Sequence, residues 1–219
     1  MNKVKNPENS TATNQQNQQS QQNPHNLNIY ELIKTRRSIR AYEANKDVPE
    51  DLLQKILEAG TWAASGKNLQ NWRFFVLKGK KRNDYLQLSQ KSWLSIKDQL
   101  EKKLKPSLYK FTERFFYTLG DAPVVILTFA ELSGQDHPQT QVGNVYLAVE
   151  NMVLAAQYEG LGTCIMGSPL EIEADIRKFL AIENKPELRL VCGLTLGYPA
   201  HSPPVPPRQL DGRIIRLTE

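Results

Sequence analysis

Three arginines fall within five residues in the segment TRRSIRAY, positions 35–42: Arg36, Arg37 and Arg40, with Ser38 among them. Like charges this close repel unless solvent or an anion separates them. Guanidinium forks bond oxygens in pairs, and a serine hydroxyl adds a donor, so the set suits a phosphate. It equally suits a solvated basic loop. An extended segment advances about 3.3 Å per residue, so Arg36 and Arg40 can lie roughly 13 Å apart.

The usual nucleotide devices are missing. GLGTCIMG, residues 160–167, offers Gly160, Gly162 and Gly167, but the dinucleotide fingerprint needs glycine where Ile165 stands. The fingerprint must also open a helix after a strand, whereas this segment follows a helix. A phosphate-binding loop needs Gly-Lys-Ser/Thr, and Gly167 is followed by Ser168 and Pro169. Metal and hydrolase chemistry are equally unsupported. The three histidines, His25, His137 and His201, have no ligand spacing around them. No G-x-S-x-G elbow occurs, Ser65 has no nearby base, and acidic pairs sit on ordinary helix faces.

Bulk properties narrow the class further. A chain of 219 residues is long enough for one domain with a sizeable core. Its net charge is +5, but the lysines are scattered among acids, as on a solvated helix face. No nucleic-acid-binding motif occurs, and no apolar run is long enough to span a bilayer. Cys164 and Cys192 sit in apolar settings, so neither a disulfide framework nor a zinc site is expected. The N-terminus has lysines but no apolar leader. These points predict a cytoplasmic protein that binds neither nucleic acid nor membrane, and no metal. Residues 1–26 are rich in Gln and Asn and bury too little to offset ordering entropy. They are expected to be a disordered tail, with the folded domain at 27–219.

The elements that must position the arginines follow from periodicity. NIYELIKTR is a short amphipathic helix ending at the cluster. VPEDLLQKILEAGTWAA opens with Pro49, Glu50 and Asp51, good first-turn chemistry, and carries a stripe of Leu52, Leu53, Ile56 and Leu57. WRFFVLKG reads as a strand in which Trp72, Phe74 and Phe75 are core residues. Residues 80–119 read as helix broken at Pro106. APVVILTFA is a buried strand. NVYLAVENMVLAAQYEG is a helix apolar on most faces, with Gly160 at its C-terminal cap. PLEIEADIRKFL is a further helix, and ELRLVCGLTLGYP a final strand. Four prolines make HSPPVPPRQL an extended arm that must lie along another surface. The pattern predicts an α+β sandwich with helices on both sides of a small sheet.

Four separated segments, in order, resemble the nitroreductase family of FMN-dependent oxidoreductases. RRSIR resembles its phosphate-binding opening. AASGKNLQNWRF resembles its turn before the first strand. NMVLAAQYEGLGTCIMGSP resembles its apolar helix and the loop facing the flavin. LTLGYP followed by PPVPPR resembles its last strand and arm. The resemblance implies a three-layer sandwich around a mostly antiparallel sheet, with the C-terminal arm extended onto a partner subunit. It further implies a homodimer with FMN at the interface.

Site roles follow from the resemblance alone. Arg36 and Ser38 fall at positions that bind the FMN phosphate, with Arg37 in the same motif. Arg40 falls at a cationic position near the ring's N1 and O2. Ala64, Ser65, Gly66, Asn68 and Gln70 match a turn that reaches the flavin from the partner. Ile165, Met166 and Gly167 match the loop beside N5, and Arg208 matches a phosphate ligand in the arm. No side chain is implied as a catalytic acid or base. FMN carries a doubly charged phosphate and becomes anionic at N1 when reduced, so one cofactor's two charged ends suit Arg36 and Arg40. Asn71 stands where the family usually has proline, Asn144 where many members have Asp, and Met166 where one branch has Glu.

The expected activity is hydride transfer from NADH or NADPH through FMN to a small acceptor such as a nitroaromatic or quinone. Reductive dehalogenation of an iodotyrosine-like substrate is the alternative. QLSQKSWLS, the stretch corresponding to that activity's amino-acid clamp, lacks its Glu-x-x-x-Tyr pattern. A non-catalytic flavin-binding sensor is a third reading, to which the Gln/Asn tract would add an interaction tail.

Overall fold

A computed structural model describes residues 28–134 and 136–217. The expectation for residues 1–26 therefore lies outside the described residues. Six α-helices and four strands are formed among those described: α1 Ile29–Thr35, α2 Glu50–Thr61, β1 Trp72–Leu77, α3 Gly79–Glu101, α4 Pro106–Thr118, β2 Val124–Glu131, α5 Pro138–Tyr158, β3 Gly162–Met166, α6 Glu173–Phe179 and β4 Leu188–Gly197.

The strands pair antiparallel in the order β1-β2-β4-β3. The centre is β2, whose side chains alternate between two separate cores, as the period of two requires. Val124, Ile126 and Ala130 pack with α2 and α5 through Leu53, Ile56, Val149 and Met152. Val125, Leu127 and Phe129 pack on the opposite face with Tyr85 of α3, Phe115 of α4 and Ile176 of α6. A β2 strand covered on both faces explains its unbroken apolar run. The expected α+β three-layer sandwich with helices on both sides is the observed architecture.

Pro106 begins α4 and so ends the preceding helical stretch, as expected. α5 buries Val145, Ala148, Val149, Met152, Val153 and Ala156. Two local readings are corrected. Residues 162–166 form β3, an edge strand paired with β4, where the sequence suggested a loop. Residues 168–172 form a 3₁₀ turn, so the helix expected from Pro169 starts only at Glu173. From His201 to Leu217 the chain forms neither helix nor strand, turns at residues 211–213 and is exposed apart from half-buried Pro203.

Candidate functional site

The arginine segment is built by its two flanks. Asn28 caps α1 by accepting the Glu31 N–H at 3.1 Å, and the helix ends where the Arg36 N–H reaches the Leu32 carbonyl. The chain then runs along the outer edge of β3. Ser38 bridges Thr163 in parallel, and the Ile39 N–H donates to the Thr163 carbonyl at 2.8 Å. Farther on, the Tyr42 N–H donates to the Gly120 carbonyl at 2.7 Å, and the Ala200 N–H donates to the Ala41 carbonyl at 3.0 Å. Ile39 and Tyr42 are buried with Ala122 as a small apolar anchor. The Tyr42 hydroxyl donates to the Ile39 carbonyl at 2.7 Å and lies 2.7 Å from the Thr195 hydroxyl. Arg36, Arg37 and Ser38 are left half-buried and Arg40 exposed.

Two glycines allow this close approach. A Cβ on Gly162 would sit 2.5 Å from the Ile39 side chain. Gly120 has φ +62°, and a Cβ there would lie 2.3 Å from the Arg40 carbonyl oxygen.

Among the described residues, one carboxylate, Glu150, pairs with the arginine segment. Arg36 Nε stands 3.8 Å from Glu150 Oε1, and half of the Glu150 side chain is exposed. A pair of that geometry contributes little. Arg37 Nη1 donates to the carbonyls of Lys34 and Arg36 at 2.7 and 2.6 Å. Its guanidinium is held below the ordinary arginine range, first by partial burial, then by the charges of Arg36 and Arg208. Burial pushes the Cys164 thiol up, against the smaller pull of Arg40 and Arg36. That thiol is a neutral neighbour of the cations, not a reactive thiolate.

The other site residues lie elsewhere. Residues 64–70 form a tight turn in which Lys67, Asn68 and Gln70 all have positive φ, at 52°, 56° and 46°. Such conformations cost roughly 1–3 kcal/mol each and persist only where the surroundings hold them. Here Ser65 Oγ accepts the Gln70 N–H at 3.1 Å, and the Gln70 amide donates to Asn68 Oδ1 at 3.0 Å. Asn144 of α5 accepts the Gly66 N–H at 3.3 Å and donates to Asn71 Oδ1 at 3.0 Å. Asn71 in turn donates to the Gln141 carbonyl at 3.2 Å. The two asparagines that depart from the family pattern are thus partners of each other. Ala64, Gly66, Asn68 and Gln70 are exposed, and Ser65 is half-buried.

The turn is fastened to α5 at a different point from the helix that precedes the arginines. It is fastened to α5 at Asn144, whereas α1 is tied to α5 at Gln157, whose amide donates to the Leu32 carbonyl at 3.1 Å. Those two points are separated by about 20 Å of helical rise. On β3, Ile165 is exposed and Gly167 follows it exposed, but the Met166 side chain is buried. Met166 therefore presents backbone, not side chain, to the outer edge.

Sequence reasoning missed Tyr42, Gly120, Thr163 and Glu150 as supports. Glu150 left a signal, being the sole acid in the apolar run 145–156. Gly120 and Thr163 left none, because their roles depend on contacts across the chain. Among the described residues, no cluster of His, Cys, Asp or Glu is arranged to hold a metal ion, and no helix is long and apolar enough to cross a membrane.

The donor set fits a phosphate ester. Arg36 and Arg37 with a half-buried Ser38, and Glu150 as the carboxylate paired with them, are donors of the kind that a phosphate's oxygens accept from. Comparison with known proteins bears on which ester. A family model described as the nitroreductase family matches residues 33–198. An iodotyrosine deiodinase of Thermotoga neapolitana is 32% identical over 184 residues, covering 82% of this chain and 93% of the relative. A Methanothermobacter thermautotrophicus protein, provisionally named a NADH dehydrogenase/NAD(P)H nitroreductase, is 32% identical over 180 residues, covering 81% and 80%. Among solved structures, an iodotyrosine deiodinase bound to FMN and 3-iodo-L-tyrosine superposes with a TM-score of 0.67 at 27% identity, covering 87% of this chain and 98% of the other.

Proposed function

Because this chain belongs to the nitroreductase family, we propose that it is a homodimeric FMN-dependent oxidoreductase that moves a hydride equivalent from NADH or NADPH to a small organic acceptor. The observation that carries this reading is the pair Arg36 and Arg37, half-buried beside Ser38 and faced by one carboxylate, Glu150, among the described residues. Repulsion among them is relieved when a phosphate is seated. FMN supplies, when bound, the two-electron chemistry that no side chain here provides.

The residues of the chain then take distinct roles. Arg36, Ser38 and Arg208 hold the phosphate, with Arg37 beside them. Arg40 places positive charge at the pyrimidine edge of the ring. The exposed backbone at Ile165 and Gly167, with that of Met166, lines the side facing N5. The turn at 64–70 reaches the ring from a second copy of the chain, as the family resemblance implies. No side chain acts as acid or base in hydride transfer; the protein contributes orientation and fixed charge.

For a nitroaromatic acceptor the exchange balances as NAD(P)H + H⁺ + Ar–NO₂ → NAD(P)⁺ + Ar–NO + H₂O, with the proton from solvent. A quinone takes the same two electrons and two protons. Deiodination is the second reading, favoured by the identity to the Thermotoga neapolitana relative. Against it, the stretch 87–95 lies inside α3, where Ser89, Ser92 and Trp93 are buried and Lys91 is paired with Asp175. Anaerobic mixing of the purified protein with each nicotinamide, followed by a nitroaromatic, a quinone or 3-iodotyrosine, tests this. Bleaching by a nicotinamide and reoxidation by the first two acceptors is expected. A flavoprotein that no nicotinamide bleaches contradicts the reading.

A further inference from the structure

Lys67 lies inside the 64–70 turn and has so far been given no task. It has φ +52°, and Asn68 follows at +56°. Two consecutive residues with side chains in the left-handed region persist only where their surroundings impose that shape. On either side the backbone is tied, the Gly66 N–H to Asn144 and the Gln70 N–H to Ser65. Lys67 is tied through its side chain, whose ammonium donates to Asp136 Oδ1 at 2.9 Å.

Asp136 is a firm anchor for that ammonium. Its side chain is 20% exposed, and its second oxygen, Oδ2, is buried without a hydrogen-bond partner among the described residues. A carboxylate placed this way depends on the cation it has. Its backbone is held by Gln141 of α5, which is fully buried. The Gln141 amide donates to the carbonyls of Asp136 and Ser133 at 2.8 and 2.9 Å and accepts the Ser133 N–H at 2.7 Å. The Gln141 carbonyl accepts from Asn71, at the end of the turn. A buried amide with its bonds made is a rigid support. The ion pair carries that rigidity from α5 to the left-handed residues.

We propose that Asp136 is a positioning residue for the flavin of a second copy of the chain: through Lys67 it fixes the shape in which Asn68 and Gln70 are presented. Asp136 acts through Lys67 in this role, not by contact. The inference rests on the FMN-dependent reading, in which the turn meets the flavin ring across the dimer.

The test measures dissociation constants of FMN and riboflavin by flavin fluorescence in the wild type, Asp136→Asn, Lys67→Ala, the double variant and Lys67→Arg. The Lys67 side chain is 70% exposed, so its replacements are compatible with folding even where Asp136→Asn is not. Each single loss should weaken both flavins by the same factor, about three- to tenfold for a partly exposed pair, because the turn serves the ring and not the phosphate. The double variant should be no worse than either single one, since the two residues act as a unit. Lys67→Arg should keep the wild-type constants, its fork matching both carboxylate oxygens. Unchanged constants in the single variants, or losses that add in the double one, overturn the proposal. A mixed dimer, co-expressed with two tags, tests the action across subunits. Pairing an Asp136→Asn chain with an Arg36→Ala chain leaves one site with intact arginines and an intact turn, so half of the sites should bind FMN with wild-type affinity. A mixed dimer in which no site does so overturns it. A wild-type protein that binds neither flavin sinks the FMN reading and this proposal with it, whereas one that binds both, with Asp136→Asn and Lys67→Ala unaffected, sinks the proposal alone.

Discussion

At the scale of single residues, Tyr42 is the fastener of the arginine segment. Its hydroxyl bonds the Ile39 carbonyl and the Thr195 hydroxyl in a buried place. Tyr42→Phe should cost roughly 1–3 kcal/mol, because a buried carbonyl loses its donor. It also carries a pH signature. Burial raises the Tyr42 pKa well above the ordinary tyrosine value of about 10. The folded state therefore keeps this proton longer than the unfolded chain does. Its contribution is complete below about pH 10 and falls as pH rises through the folded value. Tyr85 is raised by burial in the same direction, so the alkaline decline should become shallower in Tyr42→Phe but not vanish. Urea denaturation near neutrality and above about pH 10 checks both points; identical pH slopes in the two proteins would refute the fastening role. Residue types alone left RRSIR open between an anion site and a solvated basic loop. The pairing of Asn71 with Asn144 was not legible, because each is an ordinary amide until α5 is laid beside the turn.

At the scale of elements, the edge strand β3 and its neighbour decide where Arg40 goes. β2 and β4 were readable because each is a long apolar run bounded by breakers. β3 was not, because GTCIM is five residues between glycines, and only the register with β4 makes it a strand. The Arg40 stretch is laid against β3 and against Gly120. Gly120→Ala meets both a positive φ and a carbonyl 2.3 Å away. It should destabilise the fold by more than the roughly 1 kcal/mol of an unstrained glycine replacement, since the Arg40 backbone must shift. Flavin affinity measured on the folded fraction should fall with it. Native stability and flavin affinity both unchanged in Gly120→Ala would show that this contact does not position Arg40.

At the scale of the molecule, one chain exposes apolar surface with no use for it. Trp62 is 80% exposed, Leu147 51%, Val205 69% and Ile215 85%. They lie on α2's end, on α5 and along the arm, the elements that carry or adjoin the proposed site. The proposed role of the turn at 64–70 calls for a second copy of the chain. Composition suggested an extended arm, and from His201 to Leu217 the chain forms neither helix nor strand; which surface receives it is not written in the composition. Deleting residues 202–219 should therefore remove a phosphate ligand and weaken association together. The central claim is that two chains enclose two flavins, and native mass spectrometry of the purified full-length protein, before and after this deletion, weighs subunits and FMN at once. The account predicts a wild-type dimer carrying one FMN per subunit, and a truncated protein that is mostly flavin-free with a larger monomer fraction. A wild-type monomer that retains FMN, or a dimer that binds none when FMN is supplied, would contradict it.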